Sequence, residues 1–169
     1  MPTISELLLA ELEREAAGTR RALERVPEGR NDWKPHEKSM PLGYLARLVA
    51  TIPSWAAIII KQDELDLGTG EVETRDYATN GELLQAFDKA LAEAREAFAT
   101  ATDEHLTTTT WRLLVQGRVV SEQTRYVAIR DSAFNHLAHH RGQLTVYLRL
   151  NDIPVPSLYG PTADEKGFG

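Results

Sequence analysis

Asn135-His136-Leu137-Ala138-His139-His140-Arg141-Gly142-Gln143-Leu144 sits inside the longest clear stretch of helical pattern in the chain, from about Thr124 to Leu150. At roughly 3.6 residues per turn, each position steps about 100° around the axis. His136 and His140 therefore share a face with Ile129, Ala133, Gln143, Leu144 and Tyr147. That face is the apolar one. His139 points to its edge and Arg141 to the opposite side.

Imidazoles inside an apolar stripe are costly unless their ring nitrogens find partners. Two readings of the pair follow. Rings at i and i+4 can converge on one tetrahedral or octahedral metal ion. Alternatively, the pair is buried and satisfied by hydrogen bonds or water. Gln143 lies one turn beyond His140 on the same face, where it orients a ring or a substrate, or fills the packing edge. Gly142 faces away from the histidines, and a glycine inside a helix costs on the order of 1 kcal/mol, so close approach of a partner helix or subunit is expected there. Trp55 and Tyr147 are candidates for the border of the site.

Outward from this helix, Thr3-Ile4-Ser5-Glu6 has the spacing of a capping box and opens a first helix. Its stripe is Ile4, Leu7, Leu8, Leu12 and Leu23, and Pro27 and Gly29 end it. Residues 30–38 form a connection around Trp33. A second helix begins near Ser39 or Met40, with Pro41 in its first turn. Its stripe runs through Leu42, Leu45, Leu48, Val49, Ile52, Trp55 and Ile59, and Pro53 is expected to kink it. Gln62 to Tyr77, including Gly68-Thr69-Gly70, reads as a loop. Thr79-Asn80-Gly81-Glu82 opens a third helix with Leu83, Leu84, Phe87, Leu91, Ala94 and Phe98 on its inner side. Residues 106–122 break the pattern: Thr107 to Thr110, Trp111 to Val115 and Arg118 to Val120 flank Gln116-Gly117, which predicts a short β-hairpin. The expected fold is all-α, a four-helix bundle with that hairpin before the last helix, in one domain over residues 1–169.

Composition narrows the function. The 169 residues contain no cysteine, which removes thiolate ligands, a cysteine nucleophile and disulfides, and fits a cytoplasmic location. No apolar run approaches the roughly 20 residues that span a bilayer, and Glu6 and Glu11 stand where a signal peptide needs a basic and then an apolar block. Nineteen Lys and Arg against 25 Asp and Glu give a net charge of -6, the wrong sign for binding nucleic acid through its phosphates. Gly68-Thr69-Gly70 lacks the strand and helix of a phosphate loop, and no serine has a nucleophile-elbow context. His36 and His105 fall in expected loops as solvated side chains.

Phe134 to Leu144, continuing through Tyr147-Leu148-Arg149-Leu150 to Val155-Pro156 and Tyr159-Gly160-Pro161, closely resembles the end of DinB-family proteins. Val26-Pro27 to Trp33-Lys34-Pro35-His36, then Lys38-Ser39-Met40 and Leu42-Gly43-Tyr44-Leu45-Ala46, resembles that family's N-terminal half. The resemblance implies a DinB/YfiT-like four-helix bundle, frequently a homodimer, holding nickel or zinc on three histidines. Two of them match His136 and His140. The third belongs seven residues before a tryptophan, and before Trp55 that position is Leu48, which cannot ligate. Three outcomes follow: a carboxylate or His139 substitutes, the metal binds weakly with extra waters, or the site is metal-free. Relatives with the intact triad imply a metal-dependent thiol S-transferase or hydrolase. The rival expectation is a non-catalytic, stress-associated dimer that binds a small ligand.

Overall fold

The computed structural model describes residues 1–68 and 76–167. The chain is mostly helical, with a small three-stranded sheet where an all-α fold with a lone hairpin was expected. Helix α1 spans Ile4–Leu23 and realises its capping box in full: Thr3 accepts from the Glu6 N–H, and Glu6 accepts from the Thr3 N–H at 2.8 Å. Leu8, Leu12, Ala16 and Leu23 are buried on it, but Leu7 is 56% exposed and leaves the expected stripe.

The second expected helix is two. α2 (Leu42–Thr51) and α3 (Ser54–Lys61) meet at Pro53 with a 51° bend, because proline removes one ladder donor and crowds the turn before it. Among the described residues, no single helix is long and apolar enough to cross a membrane. α4 (Asn80–Thr100) starts where Thr79 accepts from the Glu82 N–H, while the Glu82 carboxylate reaches the N–H of Ala78 instead of closing the box on Thr79. Asn80 also donates to the Leu23 carbonyl at 2.7 Å, tying the start of α4 to the end of α1.

Two short elements depart from the expectation. β1 (Glu64–Asp66) lies within the expected loop; its three residues pair in parallel with the hairpin, a contact too distant and short to leave a pattern. Residues 69–75 of that loop lie outside the described residues. α5 (Asp103–Thr108) replaces the expected start of the hairpin. Thr107, Thr108 and Thr109 each donate a hydroxyl hydrogen bond to the carbonyl four residues earlier, so these β-branched residues cap their own helical turn rather than extend a strand. His105 is therefore not a solvated loop residue: it is half-buried on α5, with Nε2 3.0 Å from the Ile60 carbonyl. His36 is exposed, as expected.

The hairpin proper is β2 (Thr110–Val115) and β3 (Arg118–Thr124), antiparallel, in the sheet order β1-β2-β3. Gln116 and Gly117 both have positive φ, 52° and 75°, as a two-residue turn of matching twist requires. The Asp66 carboxylate accepts from the N–H groups of Gly68, Gln116 and Gly117 and locks this turn to β1. At Gly68 a side chain is excluded, since a Cβ would lie 2.4 Å from the Gln116 nitrogen.

The last helix runs through α6 (Arg125–Ile129), a wide π-helical turn (Arg130–Asn135) and α7 (His136–Leu150). α1, α2 and α3 pack on α4, and α7 packs on α2. Side chains such as Leu12, Leu45, Val49, Phe87, Phe98 and Leu144 meet in one core. Arg125, nearly fully buried, donates to the carbonyls of Ile59 and Gln62 and pairs with Asp63, so the C-terminal end of α3 is fastened to the start of the last helix. That fastening holds the helix carrying Trp55 against the turn that carries His136.

Candidate functional site

His136 opens α7 directly after the π turn, and His140 follows one turn later. Their Nε2 atoms are 2.7 Å apart and their rings 4.5 Å between centroids. His140 is 7% exposed and His136 half-buried. Gln143 Oε1 lies 2.7 Å from His140 Nδ1. A carboxamide oxygen only accepts, so Nδ1 of His140 carries its proton and its Nε2 presents a lone pair. His136 then donates from Nε2 to that lone pair. Burial pulls both imidazoles below their ordinary pKa, and each positive charge on a neighbouring ring would add to the effect; the Gln143 bond opposes it at His140. Burial thus favours the neutral form of both rings, the form that ligates a metal or passes a proton.

The other expected site residues divide. The Trp55 indole stands edge-on to His136 with centroids 5.1 Å apart, and both line a cavity of about 130 Å³. Gln143 serves as the partner of His140 and does not line that cavity. Tyr147 is buried with its hydroxyl donating to the Met40 carbonyl, and its ring meets Trp33 edge-on. Leu48 is half-buried on α2 against the core, outside the cavity lining. His139 is exposed, its ring centroid 4.8 Å from that of His140. Gly142 is exposed, and among the described residues nothing beyond its own helical turn comes within 4 Å of where its Cβ would stand.

A divalent ion at about 2.0–2.1 Å from each nitrogen would set cis donors roughly 3 Å apart, so the observed Nε2 separation needs a small opening and a shift of the His136 ring proton from Nε2 to Nδ1. The pair fits an ion from one side, with Gln143 as the outer partner that fixes the ring of His140. Among the described residues no group of three or more His, Asp or Glu side chains is arranged to complete it. The donor set therefore suits an ion with most positions left to water or substrate.

Three features had no counterpart in the sequence reading. Ser132, Trp111 and Leu113 form cavity wall with Trp55 and His136. The π turn, a feature often found at functional sites, places Ser132 one turn before His136. Arg141 does face away from the histidines, and on that side it is only 1% exposed. Its guanidinium donates to the Glu15 carboxylate, the Glu15 carbonyl, the Thr19 hydroxyl and the Tyr159 hydroxyl. The segment after α7 returns along α1, where Glu165 pairs with Arg21 and Arg25 and accepts from the Ser157 N–H.

The DinB family profile matches residues 1–166. No curated protein matches the sequence. Among solved structures, a DinB-like protein from Bacillus cereus aligns with a TM-score of 0.69 at 21% identity, covering 93% of this chain and 98% of that one. A DinB-like protein from Bacillus subtilis aligns with a TM-score of 0.67 at 16% identity, covering 95% and 99%. At such identities the likeness is one of fold.

Proposed function

The chain belongs to the DinB family, and on that premise we propose that it is a metal-dependent thiol S-transferase or hydrolase working at a two-histidine site. The observation that carries the reading is the convergence of the Nε2 atoms of His136 and His140, with the His140 tautomer set by Gln143 and with His136 in the wall of an apolar cavity. His136 and His140 would hold a nickel or zinc ion. Such an ion, when bound, supplies a lowered pKa for a thiol or a water molecule. The chain's own residues contribute the rest. Gln143 keeps the lone pair of His140 Nε2 directed at the site, the Trp55 ring edge fixes the rotation of His136, and the cavity excludes water from a bound electrophile.

Leu48 supports a second reading. A leucine at the position expected for a third ligand, with no three-donor group among the described residues, fits a dimeric bundle that binds a small ligand without chemistry. Equilibrium dialysis of tag-free protein against nickel and zinc, followed by elemental analysis, separates the two. The metal reading expects near-stoichiometric ion that is lost in His140→Ala. Absence of bound ion at excess metal overturns it. Leu48→His is expected to raise the affinity at least tenfold, since each added ligand strengthens a chelate; an unchanged affinity would show that this position does not face the pair.

A further inference from the structure

A cavity of about 300 Å³ opens between α1 and the segment after α7, on the side of α7 away from the histidines. Arg14 and Arg21 of α1 form one wall, Leu158 and Tyr159 the other, and the buried Arg141 the floor. The charges at this cavity do not balance. Arg141 and Glu15 neutralise each other at 2.6 Å, and the Tyr159 hydroxyl donates to the same carboxylate at 2.5 Å. Glu165 is one carboxylate shared by two cations, Arg21 and Arg25, and Arg21 offers it only Nη2. Arg14 makes no hydrogen bond or ion pair among the described residues. Two positive charges are therefore left over here, on a chain whose net charge is -6. An apolar surface stands beside them. Tyr159 is held by its hydroxyl yet is 67% exposed, so part of its ring is open to solvent next to Leu158.

We propose that this cavity binds a small phosphate monoester with an apolar organic part, the phosphate meeting Arg14 and Arg21 and the organic part lying on Tyr159 and Leu158. A phosphate monoester carries about −1.5 to −2 charge near neutral pH, which matches the two cations in excess. Its oxygens accept the forked N–H groups of a guanidinium, and Arg21 keeps Nη1 for this after its pair with Glu165. A carboxylate brings one charge and leaves a cation unmatched. A neutral molecule meets only the apolar wall. The rest of the chain is acidic, so a long polyanion is repelled by surfaces that a single phosphate group never approaches. Glu15 does not oppose the ligand strongly, because Arg141 and Tyr159 already engage its carboxylate.

Titration calorimetry of the tag-free chain with phenyl phosphate, benzoate and inorganic phosphate tests the site, with a chelator present so that no metal at the histidines holds the anion. Phenyl phosphate is expected to bind best. Benzoate and inorganic phosphate are expected to bind about tenfold more weakly, one for its missing charge and the other for its missing ring. Arg14→Gln, at an exposed position without a partner to strand, is expected to weaken phenyl phosphate about tenfold. Arg20→Gln removes the same charge from α1 outside the cavity lining and is expected to change it by less than about twofold, since solvent and salt screen it. Ala17 is an exposed part of the lining; Ala17→Glu should weaken binding about tenfold, and Ala17→Gln, of equal size, by less than about threefold. Undetectable binding of phenyl phosphate overturns the proposal, as does benzoate or inorganic phosphate binding equally well. Equal losses in Arg14→Gln and Arg20→Gln, or in Ala17→Glu and Ala17→Gln, overturn it too. His140→Ala should leave phenyl phosphate affinity intact, and a loss there would move the anion to the histidines.

Discussion

Arg141→Ala tests how far the stability of this fold depends on a charge buried away from the candidate site. The guanidinium meets the Thr19 hydroxyl at 2.9 Å, the Glu15 carbonyl at 3.0 Å and the Glu15 carboxylate at 2.6 Å, and also bonds the Tyr159 hydroxyl. The paired side chains are 2% and 11% exposed. Removing the cation leaves Glu15 nearly buried and uncompensated, a change that typically costs about 3–5 kcal/mol. For a chain of this length, roughly 2–4 °C of melting temperature per kcal/mol gives a fall of roughly 6–20 °C. Arg149→Ala is the control: its pair with Asp164 is 47% and 27% exposed, and such solvent-screened surface pairs contribute little to stability. Urea unfolding followed by far-ultraviolet dichroism and tryptophan fluorescence measures both. The double variant Arg141→Met, Glu15→Leu should recover most of the loss, because apolar replacement of the whole pair removes the stranded charge. A single-variant loss no greater than that of Arg149→Ala would refute the reasoning.

Three further outcomes are expected. Asp66→Ala removes the acceptor of three backbone N–H groups that fasten β1 to the hairpin turn, and hydrogen exchange at Gly68, Gln116 and Gly117 should accelerate while that of α4 stays unchanged; uniform protection would contradict the role. The Glu165 carboxyl is held down at about 2, first by the Ser157 N–H and then by Arg25. A depressed carboxyl stabilises the fold above its ordinary value of 4.5 and loses that contribution as pH falls through about 2, so limited proteolysis should find the tail protected at pH 4 in the wild type and cleaved in Glu165→Gln. Burial of His140 and half-burial of His136 lower both folded pKa values from the ordinary 6.5, so the unfolded chain binds more protons as the medium is acidified. Stability from the pair is complete above 6.5 and declines below it; between pH 7.5 and 5.5 the melting temperature should fall further in the wild type than in His136→Gln, His140→Gln, and an equal fall would remove the pair as the cause.

The helices whose caps and stripes coincide are legible from residues alone. Thr3 with Glu6 and Thr79 with Glu82 mark the starts of α1 and α4 to within a residue, and Pro53 marks the bend between α2 and α3. Local chemistry decides each of these. Where the reading departs from the structure, the deciding contact is distant or competes with propensity. β1 exists because Leu65 finds Leu113 across 48 positions of chain. The threonines after Asp103 favour strand by propensity, yet their hydroxyls bond back to the helical turn and win over the β-branching penalty. Leu7 fits the helical period but meets no neighbour to bury it, which periodicity cannot foresee.

The site was legible to the same depth and for the same reason. The spacing of His136, His140 and Gln143 is a property of one helix, and the structure brings those three together. Trp111, Leu113 and Ser132 reach the site only through tertiary packing. Arg141 is the instructive case. Counting around the helix puts it opposite the histidines, and a charged residue opposite an apolar stripe reads as solvated. Instead α7 is enclosed on both sides, with the histidines toward α3 and the guanidinium against α1. A helix held by a four-point polar contact on one face cannot turn about its axis without breaking that contact. Arg141 thereby sets the rotation at which His136 and His140 meet Trp55 and the cavity. In Arg141→Ala protein that remains folded, nickel or zinc affinity in equilibrium dialysis should fall although Arg141 lies on the opposite face of α7 from the histidines, whereas Arg149→Ala, whose pair is at the surface, should leave it unchanged.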